Sequence, residues 1–234
     1  MLKKLPKENM GTSNLGWLES RFHFSFAEYR NPNNINFGVL RVLNDDIVHP
    51  QSGFDTHPHS NMEIISYVVK GEITHKDSMG NSETLSRGEV QYLSAGDGIY
   101  HSEHNLNKNE DLRLLQIWII PPKSSLPRLY GSKRYKEEDR KNKFLNIVSS
   151  QKGNSEIRIY QDVNIYVSQL EDTKTLNFKI EQNRQVYFVQ IEGKAQINDV
   201  ILEDGDALEI TDESKINITA LTSSHFLFIE MPKG

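Results

Sequence analysis

The chain has 234 residues, enough for one large domain or two small ones with a real core. Its net charge of −5 and pI of about 5.9 leave no basic surface to follow phosphates along a groove, which argues against nucleic-acid binding. It contains no cysteine, which excludes disulfides, thiolate metal sites and a cysteine nucleophile together and fits a reducing compartment.

The first nine residues carry charge but no apolar stretch behind it, so no signal peptide is expected. The longest apolar runs, such as residues 114–122, are too short to span a bilayer. A soluble, cytoplasmic protein without membrane contact is the expectation. Residues 15–48 alternate as half-buried strands do: Trp17-Leu18, then Phe22, Phe24 and Phe26 spaced by two, then Phe37-Gly38-Val39-Leu40-Arg41-Val42-Leu43. Asn31-Pro32-Asn33-Asn34 and Asn44-Asp45-Asp46 read as turns between them. Short strands follow at 63–69, 72–76, 90–93 and 112–120, punctuated by glycines such as Gly71, Gly80, Gly88, Gly96 and Gly98. Many short strands at near-regular spacing predict an all-β sandwich or barrel.

The texture changes after Pro121-Pro122. Residues 123–144 are charged and read as a solvated linker with one or two short helical turns. The strand pattern then resumes, and it repeats the first half. Residues 67–73 resemble residues 189–195, Arg87-Gly88-Glu89 resembles Asp204-Gly205-Asp206, and 115–121 resembles 226–232. Two copies of one β-barrel explain this best: a first barrel over 1–122, a linker over 123–144 and a diverged second barrel over 145–234.

Five of the eight histidines lie between His57 and Asn105. In a strand, residues i and i+2 share a face, so His57 and His59 point one way together, as do His101 and Glu103. Two such pairs on neighbouring strands would present three imidazoles and a carboxylate with one or two coordination positions open, which marks a working metal site. Ser102 and His104 should face away. Parity also turns Glu63 inward, as a rival carboxylate ligand or as a base near the open positions. The remaining histidines, His23, His49, His75 and His225, are read as ordinary hydrogen-bonded core residues. Imidazole and carboxylate suit Fe(II), Ni, Cu, Mn, Co or Zn alike.

These motifs resemble the two cupin motifs, and more narrowly the pirin family. The narrower signature is His57-Pro58-His59 with Met62-Glu63, then Gly71-Glu72, His75-Lys76-Asp77-Ser78-Met79-Gly80, Ser94-Ala95-Gly96, His101-Ser102-Glu103 and Leu115-Gln116-Ile117-Trp118-Ile119. The chain departs from the general cupin pattern at Ser94, where proline is usual, and in the four residues between Gly96 and His101. The resemblance implies a bicupin, two jelly-roll barrels in tandem, with one divalent transition metal, usually iron, in the N-terminal barrel. It implies His57, His59, His101 and Glu103 as ligands; a nearby carboxylate, Glu103 or Glu63, would act as the catalytic base. The second barrel should hold no metal, because Lys179, Glu181, Gln185 and Ile218 align with His57, His59, Glu63 and His101. Some relatives are quercetin 2,3-dioxygenases, which implies a flavonol-like aromatic substrate and O2 as partners of a monomer. Others are regulators without catalysis, for which a protein partner would stand in place of the substrate.

Overall fold

The computed structural model describes residues 1–233. Apart from two single-turn 3-10 segments, Lys7–Asn9 and Glu137–Asp139, its regular structure is all strand. Tertiary contacts divide the chain into two units. One comprises residues 11–135 with 159–161; the other comprises 1–10, 136–158 and the chain from 162 onward.

Each unit is a two-sheet β-barrel of the jelly-roll kind. In the first, a seven-stranded sheet runs Leu129–Lys133, Val90–Ser94, Glu63–Lys70, Leu112–Ile119, Leu40–Val48, Leu18–Phe22, Gly11–Asn14. A four-stranded sheet runs Ser52–His59, Ile99–Asn105, Glu72–Asp77, Ser82–Ser86. The second unit matches it place for place. Its larger sheet runs Leu2–Leu5, Ala207–Ile210, Arg184–Glu192, Ser224–Pro232, Asn164–Leu170, Leu145–Ser150, Ile157–Ile159. The smaller one runs Thr175–Lys179, Lys215–Ala220, Ala195–Ile197, Val200–Leu202. The internal repeat extends to the turns. Gly71 and Gly193 sit at φ +72° and +80°, and in each the space a Cβ would need is taken by a carbonyl oxygen, of Asp111 or Ser223. Only glycine fits such a corner without strain.

Three features depart from the sequence reading. First, Asn44-Asp45-Asp46 is not a turn. It lies in the middle of the Leu40–Val48 strand with all three residues buried. Polar composition signals a turn only where the chain can reach water, and here the flanking hydrophobes carry the segment straight through the sheet. Second, residues 123–144 are more than a linker. Leu129–Lys133 pairs with Val90–Ser94 as the edge of the first unit's larger sheet, and the charged run holds one 3-10 turn, Glu137–Asp139. Third, Leu2–Leu5 is a strand of the second unit, paired with Ala207–Ile210. Both edge strands are short and carry exposed charge or glycine, so neither displays the alternation that betrays a central strand.

The second unit's interior is packed by Val186, Phe188, Ile216, Ile218, Phe226 and Phe228, with Phe144, Tyr166 and Phe178 against them. Of the residues aligned with the first barrel's ligands, Ile218 is part of this core. Lys179 and Glu181 form an exposed ion pair at 2.9 Å, and the buried Gln185 amide donates to the Pro232 carbonyl.

Candidate metal centre

The register of two strands assembles the histidines. His57 on Ser52–His59 lies directly across the ladder from His101 on Ile99–Asn105, and His59 is two residues further along the same face. The ring centroids are 4.5 Å apart for His57 and His101, and 4.8 Å apart for His57–His59 and His59–His101. One ligand atom from each falls within 4.8 Å of the others, close enough for a single ion to touch all three.

Their protonation suits ligation. Burial pushes His101 down to about 3, helped by the neighbouring imidazoles of His57 and His75. Burial likewise pushes His59 down to about 4, with His101 and His57 adding to it. Both rings are therefore neutral at pH 7 and carry a free lone pair. His57 donates from Nδ1 to the Asp55 carbonyl at 2.7 Å, which leaves Nε2 as its bare nitrogen. A bulge makes that bond available. The pairing jumps from His101↔His57 to Glu103↔Phe54, so Asp55 has no residue opposite it in the ladder. His101 is 2 % exposed, and neither of its ring nitrogens has a hydrogen-bond partner in the protein. An imidazole buried with both nitrogens bare is costly unless something else satisfies it, and a metal ion does so. The residues thus fit the group that the sequence implies.

Glu103 is buried on the same side, but the structure groups it with His101 and His75 and not with His57 and His59. Its Oε1 accepts from the Ser66 hydroxyl at 3.0 Å and from the Gln91 amide, and its Oε2 accepts from the Gln116 amide at 2.7 Å. A carboxylate has about four lone-pair sites, so one remains, on Oε2. These three donors escaped the sequence reading because they come from three strands of the other sheet. Nothing short of the register brings Ser66, Gln91 and Gln116 together.

His75, read as a core residue, is fully buried, yet it is also part of the centre's surroundings. It sits opposite Glu103 in the ladder and its Nε2 faces Asp77 Oδ2 at 3.3 Å. His49 departs from the core reading too: it is half-buried and bonded to Asp111 at 2.8 Å. His23 and His225 are buried as expected.

Glu63 is not turned toward the histidines. Its carboxylate accepts from the Tyr92 hydroxyl at 2.7 Å and from the backbone N–H groups of Tyr160 and Gln161 at 2.7 and 2.9 Å. Burial raises its pKa, against the pull of those three donors. The parity count from His57 fails because the strand ends at His59 and resumes at Glu63 after Asn61, which holds a left-handed φ of 51°. Alternation does not survive such a break.

The histidines open onto a cavity of about 360 Å³. Its wall is mostly apolar, with Trp17, Phe22, Phe26, Phe54 and Trp118 prominent in it, and it carries a polar patch from Ser20, Asn44, Asp46 and Gln116. Phe26 reaches it from the loop after Leu18–Phe22, so the strand ends short of the stretch that the spacing of Phe22, Phe24 and Phe26 predicts. The volume and the balance of apolar wall with a few polar groups suit a small aromatic ligand.

Comparison with known proteins agrees with this architecture. Residues 5–119 match the pirin family, and residues 146–231 match the family described as the quercetinase C-terminal cupin domain. A pirin-like protein of Caulobacter vibrioides is 39 % identical over 231 residues, covering 98 % of this chain and 99 % of its own. The quercetin 2,3-dioxygenase of Escherichia coli K12 is 39 % identical over 223 residues, 95 % of each chain. The crystal structure of the bacterial pirin YhhW from Escherichia coli in complex with nickel(II) superposes with a TM-score of 0.94, at 36 % identity and full coverage of both chains. This chain, two tandem cupin domains with a histidine cluster in the first, is therefore a member of the pirin family.

Proposed function

We propose that the protein is a metal-dependent dioxygenase of the quercetin 2,3-dioxygenase type, opening the central ring of a flavonol with O2 and releasing carbon monoxide. One observation carries the reading: three imidazoles, at least two of them neutral, converge on the wall of an aromatic-lined cavity of about 360 Å³. The name borne by a relative 39 % identical over 95 % of both chains supports it. His57, His59, His101 and, through Oε2, Glu103 would hold one divalent ion, Fe(II) by the family resemblance. When bound, that ion supplies Lewis acidity toward a substrate hydroxyl and a redox partner for O2. The chain's own contribution is placement. Trp17, Phe26, Phe54 and Trp118 sandwich a flat aromatic ligand and keep water from the reacting carbons. Ser66, Gln91 and Gln116 fix the Glu103 carboxylate before any substrate arrives.

The test is elemental analysis followed by incubation with quercetin after loading with Fe(II), Ni, Cu, Mn, Co or Zn in turn. Loss of the flavonol's long-wavelength absorbance in air, with carbon monoxide in the headspace and no reaction without O2, is the expected result. Turnover under strict anaerobiosis overturns the oxygenase reading. No turnover with any of the six ions in air would favour a regulator, which should then capture a protein partner only when metal-loaded.

A further inference from the structure

Glu103, one of the two carboxylates the sequence offers as a base, has almost no acceptor capacity left: three donors hold it, and its last lone pair is the one proposed to bind the ion. Glu63 is elsewhere. The titratable side chains on the cavity wall are His57, His59, His101, Glu103 and Asp46. With the first four committed, only Asp46 is free to exchange a proton with a ligand.

Its placement is unusual. Asp46 lies mid-strand in Leu40–Val48, 2 % exposed, and its Oδ1 has no hydrogen-bond partner. Asn44, two residues away and on the same face, also has a buried Oδ1 without a donor. An unsatisfied buried acceptor costs about 1–3 kcal/mol, so two of them side by side on the cavity wall favour an occupant that brings donors. Trp118 Nε1, a donor, is bare on the same wall. The wall thus presents acceptors for hydroxyl groups and a donor for a carbonyl oxygen. That is the complement of a planar hydroxyketone.

Resting on the dioxygenase reading above, we propose that Asp46 is the proton acceptor for the substrate hydroxyl, with Asn44 accepting a hydrogen bond from a second hydroxyl. The hydroxyl O–H bond breaks and its proton moves to Asp46 Oδ1, making a carboxylic acid. The bonding pair stays on the substrate oxygen, which becomes the anionic donor that the centre binds. The carboxyl is suited to this exchange: burial pushes it up to about 7, with the charges of Asp45 and Glu103 adding and a hydrogen bond from Ser20 opposing. A group whose proton affinity lies near the working pH can both take a proton and return it.

The experiment is an anaerobic titration of the metal-loaded protein with quercetin, comparing wild type with Asp46→Asn and Asp46→Glu. Elemental analysis gives the metal content of each, and the bound flavonol's long-wavelength band moves to the red when its hydroxyl loses a proton. Wild type and Asp46→Glu should give the red-shifted band. Asp46→Asn should keep its metal, bind quercetin with an unshifted band, and lose roughly 100-fold or more in kcat when air is admitted. A wild-type shift in Asp46→Asn overturns the proposal, since the ion alone would then suffice. Loss of metal from both Asp46 variants overturns it as well, because the residue would then be structural. Absence of any shift or turnover in wild type defeats the dioxygenase reading itself, and this inference with it.

Discussion

At the scale of single residues, the centre depends on groups of three kinds, and substitutions should separate them. His101 belongs to both metal-capable groups, so His101→Ala should leave essentially no bound metal, whereas Lys179→Ala or Glu181→Ala in the second barrel should leave metal content unchanged. Elemental analysis of the purified variants checks both. Gln116→Leu removes the one donor on Oε2 of Glu103, the oxygen proposed to bind the metal, and should weaken metal affinity about 10–100-fold in competition titrations with a chelator. Glu63→Gln belongs to the third kind. An amide offers one acceptor oxygen where the carboxylate accepts from Tyr92, Tyr160 and Gln161, so about 1–3 kcal/mol of stability should go while metal affinity stays. Urea unfolding with and without metal reads the two effects apart. The imidazoles were legible in the sequence because i, i+2 spacing within a strand is a local property. Glu63 was misread because the same count was carried across Asn61, where the strand is broken. Asp46 was misread because its neighbours' polarity looked like a turn, and only burial reveals a polar segment inside a sheet.

At the scale of elements, one close approach governs the site. The bulged Ser52–His59 strand and the Ile99–Asn105 strand meet so tightly at Gly53 that a Cβ there would collide with the Glu103 carbonyl oxygen and stand 2.5 Å from the His104 Cα. The obstacle is backbone, which cannot swing aside as a side-chain tip would. Gly53→Ala should therefore push the strands apart, lowering stability by about 1–3 kcal/mol and metal affinity together. Thermal melts and metal titrations of that variant should move in parallel; a melt shift with unchanged affinity would show that the bulge does not position the ligands. Bulges leave no mark in sequence periodicity. The pairs His57/His59 and His101/Glu103 point to two converging strands, but not to how they interlock.

At the scale of the whole molecule, the repeat was the most legible property. Gly71 and Gly88 recur as Gly193 and Gly205, with left-handed φ values at all four. The units' true composition was not legible, since edge strands carry little hydrophobic signal. Buried neutral histidines give the whole fold an acid dependence. Burial pushes His23 down to about 4 from an ordinary 6.5, with Asp45 opposing and Arg21 assisting. Between those values the unfolded chain takes up a proton that the folded ring refuses. The contribution of His23 is therefore fully present above about pH 6.5 and is lost as the pH drops toward 4, by about 1.4 kcal/mol per unit for a fully buried ring. Melts of the metal-free protein at pH 7 and pH 5 should show the lower transition temperature at pH 5.

The pairing of Leu2–Leu5 with Ala207–Ile210 has a consequence for how the chain comes off the ribosome. Leu2–Leu5 is synthesised well ahead of the strands it joins, and the whole of Gly11–Tyr135 lies as an insertion between it and its partners. Until the far strand arrives, Leu2–Leu5 is an orphan edge. Its two central lysines discourage wrong pairing, and they later bind Glu209 at 3.0 Å and Asp206 at 2.8 Å. A protein lacking residues 1–6 should still load metal in its first barrel, while amide exchange accelerates at 207–210. Nascent chains would therefore bring His57, His59 and His101 together while residues 2–5 still wait for a place.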